Sequence, residues 1–263
     1  MTSRARARNI VALIIACLWL SAAVAAEEVR VFTSGGFTEA SVQLAPVFER
    51  ATGHTMTLTF GASMGSGADT IPNRLARHEP ADLVILARSA LDDLSARGEV
   101  IAASRVDLVR SRIGMAVRAG TPRPDISSVD ALRQTLLRAA SIGYSSSASG
   151  VYLATELFPR LGIADAIKPK LKMSEGMVGT LIASGDVEIG FQQISELLPV
   201  PGIDYVGPLP PDVQRETIFS AGIVAWSKNQ DLARAVLEFF TSPSNAALIR
   251  KTGLEPMAIT TKR

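Results

Sequence analysis

Three times in this chain a short apolar run ends in a glycine- and serine-rich stretch and gives way to an amphipathic run. Val29-Arg30-Val31-Phe32 leads into Thr33-Ser34-Gly35-Gly36. Thr55 to Phe60 leads into Gly61-Ala62-Ser63-Met64-Gly65-Ser66-Gly67, and Ser141-Ile142-Gly143-Tyr144 into Ser145-Ser146-Ser147-Ala148-Ser149-Gly150. Strand, loop and helix in that order constrain the chain to an α/β fold with a mainly parallel sheet and right-handed crossovers. The loops also carry chemistry. Glycine lets backbone N–H groups approach a ligand, serine adds hydroxyl donors, and a helix N-terminus carries partial positive charge. Together they point to a pocket for a small anionic solute.

The same alternation fills most of the sequence. It predicts strands over 29–33, 56–60, 83–87, 113–117, 141–144, 170–173, 188–192, 205–207 and 217–225. It predicts helices over 38–52, 66–77, 89–97, 128–137, 150–161, 175–184, 231–241 and 244–251. Val42, Leu44, Ala45, Val47 and Phe48 mark the apolar face of the first helix, and Gly53 suits a left-handed cap at its end. Ser128-Val129-Asp130 opens another helix with a cap residue and an early acid. Two proline-rich stretches, Arg118 to Asp125 and Leu197 to Pro211, bracket the middle of the chain. The expected organisation is a first lobe from 27–113 with a return at 217–263, and a second lobe at 114–216. The cleft between them is lined by loops at the carboxyl ends of strands.

Residues 1–26 have the form of a secretory signal peptide: Arg4, Arg6 and Arg8, then the apolar run Ile10 to Leu20, then Ala23-Val24-Ala25-Ala26. Export to the periplasm follows as an expectation. Cys17, the single cysteine, falls inside this segment. Ile14-Ile15-Ala16-Cys17 loosely resembles a lipoprotein cleavage box, but the apolar run continues to a better cleavage site. A mature chain without cysteine has no disulfide, catalytic thiol or thiolate metal site. The formal charge of +2 counts three leader arginines; without them 24 basic residues face 25 acidic ones. No basic face for nucleic acid is evident. No cofactor and no metal are expected, since His54 and His78 are the only histidines and have no spaced partners.

The candidate ligand residues sit at strand ends. Ser34, Gly35 and Gly36 follow the first strand and Ser63 the second. Arg88 follows Asp82-Leu83-Val84-Ile85-Leu86-Ala87, where a guanidinium can grip a carboxylate through two parallel N–H bonds. Tyr144, Ser147 and Ser149 offer a phenol and hydroxyls. Gln192 and Gln193 end a later strand with amides, and Glu175-Gly176-Met177-Val178 opens a helix. The second loop is no Walker A motif, because the terminal Gly-Lys-Ser/Thr is missing.

These segments resemble the periplasmic molybdate-binding protein family, the solute receptors of ABC-type oxyanion importers. The resemblance is carried by Val31 to Thr38, Phe48 to Gly53, Phe60-Gly61-Ala62-Ser63, Pro80-Ala81-Asp82-Leu83, Ala148 to Tyr152 and Ser184 to Gly190. It covers nearly all of the mature chain. It implies a type II periplasmic binding protein fold, two α/β lobes joined by crossing strands and closing over an anion. It also implies an ABC permease as partner and a monomeric receptor. Ser63 matches a family ligand serine. Gly36 stands where the family has a ligand serine, Gln193 where it has a ligand tyrosine, and Arg88 where members often carry an acid. These departures turn the expected ligand from molybdate toward a small organic carboxylate. An aconitate isomerase resembles the same family, so the alternative is interconversion of cis- and trans-aconitate by a 1,3 proton shift. Glu175 and Tyr144 are the expected proton-moving residues in that case.

Overall fold

The computed structural model describes residues 26–257. The leader expected over 1–26, with Cys17, lies outside the described residues except for Ala26. Among the described residues no helix is long and apolar enough to cross a membrane.

The chain opens with β1 (Glu28–Ser34), α1 (Gly35–Thr52) and β2 (Thr55–Gly61). β1 lies between β2 and β3 (Leu83–Ala87), parallel to both. α1 buries Phe37, Ala40, Ser41, Leu44, Ala45 and Phe48, spaced three and four apart on one face. Val42, expected on that face, is 46% exposed. Phe37 meets Phe240 edge-on at 5.5 Å, and both belong to a core with Val29, Val31, Leu83 and Ile85. Each fully buried side chain of this size contributes about 1.5–3 kcal/mol. Gly53 ends α1 with φ of 76°, the left-handed cap its position called for.

α2 (Ile71–Ala76) and α3 (Arg88–Ala96) flank β3. β4 (Val106–Arg118) then carries the chain from one sheet into the other. Its first part, Val106 to Arg112, pairs antiparallel with β9 (Glu216–Ile223). Its second part pairs antiparallel with β7 (Ile189–Gln193) from Ile113 to Val117, and with β8 (Ile203–Pro208). The sequence reading covered only 113–117. The preceding Arg110 and Arg112 are exposed between buried Val109, Ser111 and Ile113, the two-residue alternation of a strand with one wet face.

The second sheet holds β5 (Ile142–Ser145) between β6 (Leu171–Ser174) and β7, parallel to both. α4 (Val129–Arg138) starts where expected, its Ser128 hydroxyl accepting the Ala131 N–H at 3.1 Å. α5 (Ala148–Tyr152) runs through a wider turn at Leu153–Leu157 into α6 (Phe158–Arg160), and α7 (Ala164–Ile167) follows. α8 (Val178–Ser184) precedes β7, and α9 (Ile194–Leu197) follows it directly. α10 (Gln230–Thr241), α11 (Ala246–Lys251) and the short β10 (Glu255–Pro256), paired with β4, complete the first sheet's packing. The strand order is β2-β1-β3-β9-β4-β7-β5-β6. The fold is α/β with parallel ladders in each sheet, as expected, but the sheet is mixed. β4 and β9 pair antiparallel because they cross between the two halves instead of returning through a helix.

Candidate functional site

A cavity of about 600 Å³ lies between the two sheets' loops. Ser34, Gly35, Gly36 and Ser63 line it from one side, and Ser147, Ser149, Glu175, Gln192 and Gln193 from the other. Two of the sequence candidates are elsewhere. Arg88 is not among the lining residues; its guanidinium faces Asp107 at 3.3 Å and is 40% exposed. Tyr144 also lies off the cavity, because alternation along β5 turns it with Ile142 onto the second core. The carboxylate grip expected of Arg88, and the proton transfer expected of Tyr144, are therefore not assembled here. Among the described residues no lysine or arginine lines the cavity. His54 and His78 lie off it too, His78 against the Trp226 ring at 4.7 Å.

Donors take the place of cations. α1 begins at Gly35, three residues earlier than expected, so Gly35 and Gly36 form its first turn. α5 begins at Ala148. Neither helix has a side-chain cap, and the first N–H groups of a helix have no partner within it. Both N-termini line the cavity. The Ser63 hydroxyl accepts the Ala87 N–H at 2.8 Å and keeps its own proton to donate. The helix expected from residue 66 begins only at Ile71, with Thr70 as its cap, so the Gly/Ser loop stays loop as far as α2. Ser145 and Ser149 share a hydrogen bond at 3.1 Å. Ser34 Oγ and Gln193 Oε1 are buried without a partner among the described residues. Orphaned polar atoms aimed at a cavity are what a bound polar ligand would satisfy.

Glu196 is the residue that sequence reading missed. It lies three residues past the end of β7, one turn into α9, and its carboxyl lines the cavity. The same strand-end rule that picked Gln192 and Gln193 applies one turn further on. Gln192 Nε2 donates to Glu196 Oε1 at 2.9 Å. A Cβ at Gly35 would stand 2.0 Å from that oxygen, and one at Gly36 would stand 2.1 Å from the Phe219 ring. The two glycines thus let Glu196 and Phe219 lie directly on the start of α1. Ser195 ties the same helix down by donating to the Gly36 carbonyl at 2.7 Å. Burial pushes the Glu196 carboxyl up to about 7, partly offset by the Gln192 and Gln193 donors.

That shift makes stability depend on pH. The unfolded chain sheds this proton near its ordinary value of 4.5, whereas the folded chain keeps it to about 7. Folding therefore loses stability as pH rises from 4.5 through 7, and the whole cost is present above that window. With allowance for solvent at the cavity, the cost is on the order of 2 kcal/mol. Glu196→Gln is expected to remove it. Thermal melts should place the variant level with the wild-type chain near pH 4.5 and about 4–8 °C above it at pH 8. Parallel melting curves at both pH values would contradict the raised pKa.

The comparisons with known proteins agree with this fold. The family model for bacterial extracellular solute-binding proteins matches residues 29–255. An aconitate isomerase from a Pseudomonas species is 45% identical over 247 residues, covering 94% of each chain. The molybdate-binding protein ModA of Rhodobacter capsulatus is 25% identical over 236 residues, covering 89% of this chain and 90% of that one. The solved periplasmic molybdate-binding protein of Azotobacter vinelandii superposes with a TM-score of 0.70 at 19% identity, covering 86% of this chain and 98% of that one. The family model spans nearly all of the described residues, and the chain belongs to the bacterial extracellular solute-binding protein family.

Proposed function

We propose that this chain interconverts cis- and trans-aconitate, in the periplasm, as a monomer freed of residues 1–26. The observation that carries this reading is the Glu196 carboxyl, held in a donor-lined cavity with its pKa raised to about 7. A group that titrates near neutral pH can both take and return a proton. The reaction needs one proton removed from the substrate's methylene carbon and one delivered to its vinylic carbon. The double bond moves by one carbon, and no electrons enter or leave. The 45% identical aconitate isomerase supports the choice of substrate.

Three carboxylates on the substrate correspond to three donor sets in the chain. Ser34 with the start of α1, Ser63 with its loop, and Ser147 to Ser149 with the start of α5 each offer hydroxyl and N–H groups. Helix N-termini favour negative charge there without a guanidinium. Glu196 gives and takes the proton, and Glu175 lines the same cavity from the exposed loop before α8. Phe219 covers the start of α1 at Gly36 and lines the same cavity. The lobes are 27–113 with 217–263, and 114–216; the change of β4's partners at Ile113 supports that division.

The test is direct. Purified protein with cis-aconitate should yield trans-aconitate, followed by proton NMR, with solvent deuterium entering carbon when the reaction is run in D₂O. No trans-aconitate at high protein concentration would sink the proposal. A receptor that hands an oxyanion to an ABC permease is the second reading, favoured by the 25% identical molybdate-binding relative. A large thermal shift with molybdate, and none with aconitate, would select it.

A further inference from the structure

We propose that Gln192 is a positioning residue that assigns the two oxygens of Glu196: Oε1 is held as an acceptor, and Oε2 is the oxygen that takes and returns the substrate proton. This rests on Glu196 being the proton carrier proposed above. Gln192 is 3% exposed at the end of β7. Its Oε1 accepts the Val178 N–H at 2.8 Å, and its Nε2 donates to Glu196 Oε1 at 2.9 Å. The Val178 N–H opens α8 and has no partner within that helix. Only the amide carbonyl can satisfy it, so the NH₂ group must face Glu196. The direction of the amide is thus set by donor chemistry, and the amide is locked between two elements.

Oε1 of Glu196 has a second constraint, since it lies against Gly35 at the start of α1. No side chain among the described residues donates to Oε2, which is not among the sealed polar atoms; the Gln193 backbone N–H is the other donor to this carboxyl. The inner position of the carboxyl is therefore fixed and the outer one is left to the cavity. The titratable groups that share the cavity are Glu39 from α1, Asp69 from the Gly/Ser loop and Glu175 from the loop before α8. β7 and α8 carry none. The strands under α9 bring Arg112 from β4 and Tyr205 from β8, and burial keeps the Tyr205 phenol neutral. None of these is hydrogen-bonded to Glu196. Gln192 is the side chain placed to set how that carboxyl binds its proton.

The experiment is a ¹³C NMR titration of the Glu196 side-chain carboxyl, assigned by its disappearance in Glu196→Gln. Gln192→Glu keeps the acceptor for Val178 but turns a second carboxyl toward Oε1. The Glu196 midpoint is then expected to rise by about one pH unit or more. Gln192→Met, close in volume, removes the donor and should raise the midpoint by roughly half a unit. The pH profile of kcat/KM for aconitate should move the same way, with KM changed by less than about three-fold. An unmoved midpoint in both folded variants would overturn the assignment. If no isomerisation is found, the proton-carrier reading falls, while the titration still decides whether Gln192 governs the carboxyl.

Discussion

Replacing Glu196 by glutamine is expected to lower kcat for aconitate interconversion by about 10³-fold, within the range that general acid–base groups supply. The substitution keeps size and polarity and deletes the exchangeable carboxyl proton. Substrate affinity should hold within a few-fold, because the three donor loops are untouched. Two companions separate this effect from a general disturbance of the cavity. Glu175→Gln, at an exposed loop position, should cost less than ten-fold, about 1.4 kcal/mol on the barrier. Gly35→Ala adds a Cβ 2.0 Å from Glu196 Oε1 and must push the carboxyl aside. The far end of a side chain can move, so folding should survive while activity falls by about 10²-fold. Steady-state rates by NMR, with melts on the same samples, check all three. A Glu196→Gln enzyme as active as its parent would move the chemistry to another residue.

Gly150→Ala is expected to be the most damaging single methyl group in the chain. A Cβ there would stand 1.6 Å from the Ser145 carbonyl oxygen, 2.6 Å from its carbonyl carbon and 2.9 Å from its nitrogen. These are backbone atoms at the end of β5, paired with β6 at Ser145–Ser174. They cannot swing away as a side chain can. Relief requires α5 to lift off the strand that feeds it, opening the Ser145–Ser149 contact. We expect a loss of about 3 kcal/mol. That corresponds to a fall in Tm of about 6–12 °C for a chain of this size. Ligand binding should weaken in parallel, because Ser147 to Ser149 belong to the cavity wall. A Tm within 2 °C of the parent would show that the α5 start is pliant and not a fixed donor platform.

Legibility differed between the scaffold and the site for a physical reason. Strand and helix periods of two and 3.6 residues are local, so β1, β3, β5, β7, α1, α4 and α10 are readable from the spacing of apolar residues in the sequence. Loops ending strands are local too, and Ser34, Gly35, Gly36, Ser63, Ser147, Ser149, Gln192 and Gln193 all came to one cavity. Arg88 and Tyr144 did not, since strand-end position says which residues are near a cleft but not which way each points. Arg88 turned to Asp107 on a crossing strand that the reading had not extended that far.

What the sequence determined by itself is the α/β fold, the Gly/Ser loops at the carboxyl ends of strands, and the class of donor they offer. Each of those follows from residues within a few positions of one another. The identity of the titrating group came from the folded arrangement. Glu196 reads as an ordinary acid in the first turn of a short helix. It becomes a near-neutral carboxyl because α9 lies on the glycine pair that opens α1, about 160 residues earlier in the chain, with the Gln192 amide aimed at it. A pKa is set by desolvation and by the donors that surround a group. For Glu196 those surroundings are assembled from both halves of the chain, and folding alone brings them together.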